Sequence, residues 1–392
     1  TPPEKSYFRA MTEVFQKNQQ PMVEQLIESL KGTKKGLIIA GPGEFSEKFV
    51  RLITLLAHKL HFPIVADAAS QLRFGSHDKN NVLSYFEGYI RTDLFKKEYL
   101  PEIIIHFGRF PTSKGMEEYL ANVNCQYYLI SEFGDIFDPC GKVNHIEQIN
   151  PIVFLEQVLN RLESEKIIAT ESEWYRKFKS VEKQTVDIKR EIIDNSPFPF
   201  EGRIINEVIN LMPDGSHLMI SNSMPVRDLD YFSEPVDRKI TVYNNRGASG
   251  IDGIISTALG IAAAKKKPVV LVTGDLAFYY DLNGLLASKK YKIPLVVVLI
   301  NNNGGGIFEM LPISTYEDVF EEYFVTPLDL DFAGIVNAYS GKFCTMKNWI
   351  NFRENFASAL NMLELNVLEI KTNAGQSVEL RRRFWAQVGK SV

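Results

Sequence analysis

Two short polar stretches could hold a charged ligand: Gly274-Asp275, and Asn301-Asn302-Asn303 running into the glycines 304–306. Asp275 offers a carboxylate and Asn302 a side-chain carbonyl, while the glycines leave backbone groups reachable. That oxygen set suits Mg²⁺, a hard cation that usually shares its octahedron with a phosphate. Taken singly, Gly-Asp and Asn-Gly are ordinary strand endings; their pairing carries the argument. Two arginines accompany them, Arg227 in the run 221–228 and Arg246 in the run 244–253. Guanidinium groups grip carboxylates through two parallel hydrogen bonds, so the pair points to a small substrate with several negative charges. Asn222 or Ser223 is expected to cap a helix with Pro225 in its first turn, which leaves Arg227 unexplained. Ile307, Phe308, Met310 and Leu311 supply an apolar stretch that serves equally as pocket wall or plain core.

The elements that must position these residues are legible in the apolar pattern. Residues 268–273 and 294–300 are β-branched and almost continuously apolar, as strands buried on both faces of a parallel sheet are. Between them, 276–291 has helical spacing, which makes a β-α-β unit. Parallel strands end on one edge, where ligands bind in such sheets, and a helix opening at Leu276 would set its positive end beside a phosphate. Strands at 217–221 and 240–243, the latter leading to a small-residue helix at 251–264, bring both arginine runs to that edge.

The remainder alternates in the same way. Strands are expected at 36–40, 63–66, 102–107, 126–131 and 367–372, and helices at 21–30, 47–60, 81–92, 115–123, 151–165, 171–194, 201–211 and 348–361. The fold class is α/β, two Rossmann-like domains with parallel sheets flanked by helices. Residues 1–31 read as linker and entry helix, 32–170 as a central domain, 171–196 as a connecting helix and boundary, and 197–392 as the domain that carries the ligand edge. The glycine-rich stretch 304–325 is expected to be the most mobile without a ligand. No methionine starts the chain, and its first residues look like an interdomain linker, so a preceding domain is expected.

At 392 residues, 45% hydrophobic and 23% charged, the chain is a globular protein long enough for two domains. A net charge of −4 without a basic block argues against nucleic acid. No apolar run approaches the length of a membrane span. Three scattered cysteines, Cys125, Cys140 and Cys344, fit reduced thiols in the cytoplasm, and six dispersed histidines make a zinc site unexpected. Residues 41–46 follow a strand as a dinucleotide loop would, with Asp67 as the ribose acid, but the third glycine is missing and Pro42 stiffens the turn.

The runs SNSMPVRD, NRGASGIDG, GDLAFYYDLNGLL and INNNGGGIFEMLP span most of 217–312. Gly-Asp followed by Asn-Asn resembles the thiamin-diphosphate motif of the pyruvate-decarboxylase and acetolactate-synthase superfamily. The four runs together resemble one menaquinone-pathway branch, the 2-succinyl-5-enolpyruvyl-6-hydroxy-3-cyclohexene-1-carboxylate synthases. Leu276 stands where most of the superfamily has glycine, a departure that this branch shares. The resemblance implies that Asp275, Asn302 and the Gly304 carbonyl hold Mg²⁺ or Mn²⁺ against the diphosphate. Ser249, Gly250, Gly274, Leu276, Ala277 and Gly305 would line that diphosphate, and Ile251 would be the wedge that folds the cofactor. Ser223, Arg227 and Arg246 would face substrate carboxylates, with Ile307, Phe308 and Leu311 closing the pocket. Lys114 falls at a substrate-contacting lysine of the family, with Gly115 where some members have arginine.

The implied reaction is decarboxylation of 2-oxoglutarate and transfer of its succinyl unit to isochorismate, by a transferase that is a homodimer or homotetramer at full length. The nearest alternatives are an acetolactate-synthase-like relative holding flavin through 41–46 and a non-catalytic nucleotide-binding fragment. Flavin absorbance would favour the first; tighter binding of NAD or ATP than of thiamin diphosphate would favour the second. In the superfamily the cofactor-activating glutamate sits on an N-terminal pyrimidine domain of a partner subunit, which these residues do not include. The expected outcome is therefore no product from this 392-residue chain mixed with cofactor and both substrates; turnover in a direct assay would contradict it.

Overall fold

The structure, a computed structural model, describes residues 22–134, 136–265 and 269–392. The expected linker lies outside the described residues. Of the entry helix, Met22–Leu30 is seen.

The first sheet holds six parallel strands in the order β3-β2-β1-β4-β5-β6. These are β1 (Gly36–Ala40), β2 (Ile64–Ala66), β3 (Val82–Leu83), β4 (Ile103–Phe107), β5 (Gln126–Ile130) and β6 (His145–Glu147). The inner strands are buried throughout because helices cover both faces. The helix expected over 81–92 is instead the edge strand β3 followed by the short helix Phe86–Tyr89. A second edge strand, β6, was not anticipated either.

The second sheet is also six-stranded and parallel, ordered β11-β12-β10-β9-β7-β8. Its strands are β7 (Ser216–Ile220), β8 (Ile240–Tyr243), β9 (Val269–Gly274), β10 (Leu295–Asn301), β11 (Lys342–Thr345) and β12 (Leu365–Lys371). The register sets Ile300 beside Gly274 and Ile220 beside Val272. Residues 222–223, 274–275 and 301–302 therefore leave three neighbouring strands at one edge. Helices Glu201–Leu211 and Trp349–Leu360 form where the spacing predicts them. The helix expected over 276–291 divides into Asp275–Tyr280 and Leu285–Tyr291. The break falls at Asp281, whose carboxylate accepts from the Ser256 N–H at 2.6 Å and the Ser256 hydroxyl at 2.9 Å, at the start of helix Ile254–Lys265.

The C-terminal helix Ala374–Ser391, unforeseen in the sequence, packs on the long helix Glu173–Asp194 and on Phe86–Tyr89. Phe384, Phe232, Phe178 and Tyr89 share one apolar cluster with the first sheet, so that sheet's core runs on into helices of the second half. Arg73 of the first domain is fully buried and pairs with Asp230 of the second at 2.7 Å. Among the described residues no helix is long and apolar enough to cross a membrane. The three cysteines are free thiols.

His106, on β4, is buried, with its ring nitrogens 2.9 Å from the Tyr127 hydroxyl and 3.2 Å from the Arg109 carbonyl. Burial lowers its pKa from 6.5 to about 4, the Arg109 carbonyl opposing the shift. Between those values the unfolded chain takes up a proton that the folded chain refuses, so stability falls as pH drops through that window. The full loss is on the order of 3 kcal/mol. Urea melts of the chain and of His106→Gln between pH 7 and pH 4 should show the decline flattened in the variant; identical profiles would assign the decline to other groups.

Candidate functional site

The strand ends at this edge enclose a cavity of about 330 Å³. Asp275, the first residue after β9, is buried and accepts the N–H of Leu276 at 2.7 Å and of Gly304 at 2.9 Å. Burial pushes its pKa up to about 6, against the pull of these N–H donors and with a contribution from the charge of Glu201. Asn302, just beyond β10, donates from Nδ2 to Glu201 Oε1 at 3.0 Å. Its Oδ1 is buried without a partner. A buried carbonyl left unpaired costs about 1–3 kcal/mol, so an oxygen-seeking cation beside Asp275 would satisfy it. Among the described residues no three His, Cys, Asp or Glu side chains gather as a metal cluster. A cation here must therefore draw on amide and backbone oxygen besides Asp275. The residues fit a hard divalent ion.

Gly304 has φ +143°, and a Cβ there would lie 2.3 Å from the Val325 carbonyl oxygen. Only glycine lets this backbone turn under the Asp275 carboxylate. Residues 304–325, expected to be mobile, fold as a run of short helical turns joined by the Gly305 N–H to Val325 carbonyl bond at 2.7 Å.

On the opposite wall, helix Met224–Phe232 begins after Ser223 with Pro225 in its first turn. Neither expected side-chain cap forms. Asn222 instead donates to the carbonyls of Asn245 at 3.0 Å and Gly250 at 2.6 Å and accepts from Arg246 at 3.1 Å. It ties the 245–250 loop to the end of β7. Arg227 donates to the Ser223 carbonyl at 2.6 Å. Burial, and then the nearby charge of Arg227, lower the pKa of Arg246. Two cations thus sit close together at the cavity, an arrangement that an anionic ligand relieves.

Most of the sequence-predicted residues converge. Ser223, Arg227, Arg246, Ser249, Ile251, Gly274, Asp275, Leu276, Ala277, Asn302, Gly304, Gly305, Ile307 and Phe308 line the cavity. Gly250 stands one step back, its carbonyl held by Asn222. Two residues stay away. Lys114 is exposed on the first domain in an ion pair with Glu117 at 2.7 Å, and Leu311 is 47% exposed beyond the wall. Glu201 and Asn222 were not singled out as lining residues; the one has no local signature, and the other was read only as a cap.

The 41–46 loop, in which the third glycine of a nucleotide loop is missing, is bonded within the fold. Asp67, at the place of a ribose acid, accepts the N–H groups of Ala69 and Thr112. The N–H groups of Gly41 and Gly43 go to Phe107 and Ala69, and a Cβ on Gly41 would meet the Arg109 carbonyl oxygen at 1.5 Å. The two glycine N–H groups that a phosphate would use in such a loop are therefore taken.

Fold and site together define a thiamine pyrophosphate enzyme. Residues 4–220 match the family model described as "Middle domain of thiamine pyrophosphate". Residues 229–370 match the one described as "Thiamine pyrophosphate enzyme, C-terminal TPP binding domain". The chain belongs to this family. More narrowly, it is 37% identical over 366 residues to the 2-succinyl-5-enolpyruvyl-6-hydroxy-3-cyclohexene-1-carboxylate synthase of Bacillus cytotoxicus, covering 93% of this chain and 62% of that protein. Synthases of the same name from Geobacillus kaustophilus and Haloarcula marismortui are 35% and 37% identical over 373 residues each, covering 95% and 94% of this chain. The chain spans 64% and 62% of their lengths.

Ser223 adopts φ +69° and ψ −132°, a backbone state that glycine takes freely and other residues resist. Relief of this strain outweighs the extra freedom of an unfolded glycine, so Ser223→Gly should raise stability by about 1 kcal/mol. A calorimetric Tm at or below that of the parent would show that the conformation carries no strain.

Proposed function

We propose that this chain is the central and diphosphate-binding portion of a synthase dependent on thiamin diphosphate. It decarboxylates 2-oxoglutarate and adds the succinyl unit to isochorismate, giving 2-succinyl-5-enolpyruvyl-6-hydroxy-3-cyclohexene-1-carboxylate and CO₂ in menaquinone biosynthesis. The observation that carries the reading is the unpartnered Asn302 oxygen in the cavity that also holds Asp275 and two arginines. The synthase names of these similar proteins support the reading from the sequence side.

In this reading Asp275, Asn302 and the Gly304 carbonyl hold Mg²⁺ or Mn²⁺. Ser249, Gly250, Gly274, Leu276, Ala277 and Gly305 line the diphosphate, and Ile251 supports the ring system. Bound thiamin diphosphate supplies the electron sink that loss of CO₂ from a 2-oxo acid requires. The chain's own residues bind, orient and dehydrate. Arg227 and Arg246 grip carboxylates that are retained, and Ser223, whose carbonyl Arg227 already holds, completes that corner. Fixing a substrate in this way contributes several kcal/mol through orientation alone. Ile307 and Phe308 keep water from the carboxylate that departs. Lys114 and Leu311 lie away from this cavity. The full-length enzyme is read as a cytoplasmic homodimer or homotetramer, a carboligase whose small acidic substrates need neither membrane nor nucleic acid. The division into a central domain over 32–170 and a diphosphate domain over 197–392, joined by 171–196, completes the proposal.

Calorimetry of thiamin diphosphate binding to this chain, with and without Mg²⁺, tests the reading. Binding should need the metal, and Asp275→Ala should weaken it by at least about tenfold, as loss of a charged ligand does. Equal affinity in parent and variant would remove the metal assignment.

A further inference from the structure

Along one wall of the cavity runs a chain of buried polar groups that ends at the Asn302 amide. Arg381, on the C-terminal helix, is 1% exposed and grips Asp228 with two hydrogen bonds of 2.8 and 2.5 Å. The same guanidinium donates to Glu201 Oε2 at 2.6 Å. The other carboxylate oxygen, Oε1, accepts from the Thr372 hydroxyl at 2.9 Å and from Asn302 Nδ2 at 3.0 Å. Glu201 is itself 2% exposed.

A primary amide can turn end for end, exchanging an acceptor for a donor with almost no change of shape. Nothing in the Asn302 side chain alone selects the orientation. The oxygen that faces it, Glu201 Oε1, also accepts from the Thr372 hydroxyl, which sets Nδ2 inward and Oδ1 outward. Arg381 holds the other oxygen, Oε2, and so fixes which side of Glu201 faces Asn302. We infer that Glu201, held by Arg381, is a positioning residue that locks the Asn302 amide so that its oxygen, rather than its NH₂, is offered to a divalent cation. Turned the other way, the amide would set its oxygen against Glu201 Oε1, acceptor facing acceptor. The inference rests on the metal-site reading above and adds to it a residue on helix Glu201–Leu211 and one on the C-terminal helix.

Glutamine at position 201 makes a sharp test. Arg381 would claim the glutamine oxygen, so the glutamine NH₂ would face Asn302 and turn its oxygen inward. Mg²⁺ titrations of thiamin diphosphate binding to the full 392-residue chain supply the readout, with Tm measured in parallel. Glu201→Gln should weaken the apparent Mg²⁺ affinity by at least about tenfold, the usual scale for a lost partner of a metal ligand. Adding Asn302→Asp should restore it to within about threefold, because a carboxylate presents oxygen whichever way it turns. Arg381→Lys keeps a cation against Glu201 but loses the forked grip on Asp228. Because that grip positions Glu201, it should lower Tm and Mg²⁺ affinity together. Arg353→Ala, by contrast, which frees Glu207 farther along the Glu201 helix, should lower Tm while leaving Mg²⁺ affinity within about threefold of the parent.

Unchanged affinity in Glu201→Gln, or no rescue by Asn302→Asp, overturns the inference. So does Mg²⁺ affinity that follows Tm across the variants, the mark of a merely structural role. If Glu201→Gln does not fold, Glu201→Asp gives the decision: its shorter carboxylate still accepts but draws back from Asn302, and unchanged Mg²⁺ affinity there overturns the inference. Asp275→Ala, titrated alongside, separates the two levels. Full Mg²⁺-dependent binding there, or a parent without it, sinks the metal site and this inference together. Loss in Asp275→Ala with none in Glu201→Gln sinks the positioning role alone.

Discussion

A buried guanidinium holds the second half of this molecule in register. Arg381 reaches from the C-terminal helix to Asp228 on one helix and Glu201 on another. Burial alone would lower the pKa of Arg381, and the two carboxylates outweigh it, so the group stays charged. Removing one member of such a cluster leaves an uncompensated buried charge, a loss of about 3–5 kcal/mol. The cluster is better regarded as a geometric constraint than as a source of net stability, because desolvation consumes most of its Coulomb energy. Its value lies in where it ends, at an amide beside Asp275.

A second buried pair, Arg73 with Asp230, does similar work between the domains. Its other donors go to the carbonyls of Ala66 and Asp230, and Asp230 also accepts from the Ala68 N–H. Both pairs use helix Met224–Phe232, which contributes Asp228 and Asp230 and also carries Arg227 toward the cavity. The helix that presents a candidate substrate arginine is thereby pinned to the first domain and to the C-terminal helix at once. Ser223, strained at the head of that helix, is the point where this rigid frame meets the ligand edge.

The first domain shares the architecture of the second without its chemistry. Its glycine loop at 41–43 spends its N–H groups on neighbouring carbonyls, and its strand-end acid, Asp67, caps its own backbone. The second domain keeps an unpaired oxygen and two adjacent cations at the equivalent edge.

Much of this was legible in the sequence. Inner strands declared themselves because burial on both faces demands unbroken apolar runs, as in 295–300. Asp275 and Asn302 had to share an edge because β9 and β10 are parallel neighbours. Of the four edge strands only β8 was legible: β3 has two residues, β6 is half-exposed, and β11 is mostly exposed with no apolar run. Hydrophobic periodicity reports how a segment meets its nearest layer and nothing more distant. The orientation of Asn302 depends on Glu201, 101 residues away, and that of Glu201 on Arg381, a further 180 residues along the chain. Glu201 looks like any acidic residue in a first helical turn. Arg381 looks like any arginine on a charged helix. The sequence by itself determined which residues reach the ligand edge; tertiary structure alone decided which atom of Asn302 is left without a partner there, because a side-chain amide takes its direction from the groups packed behind it.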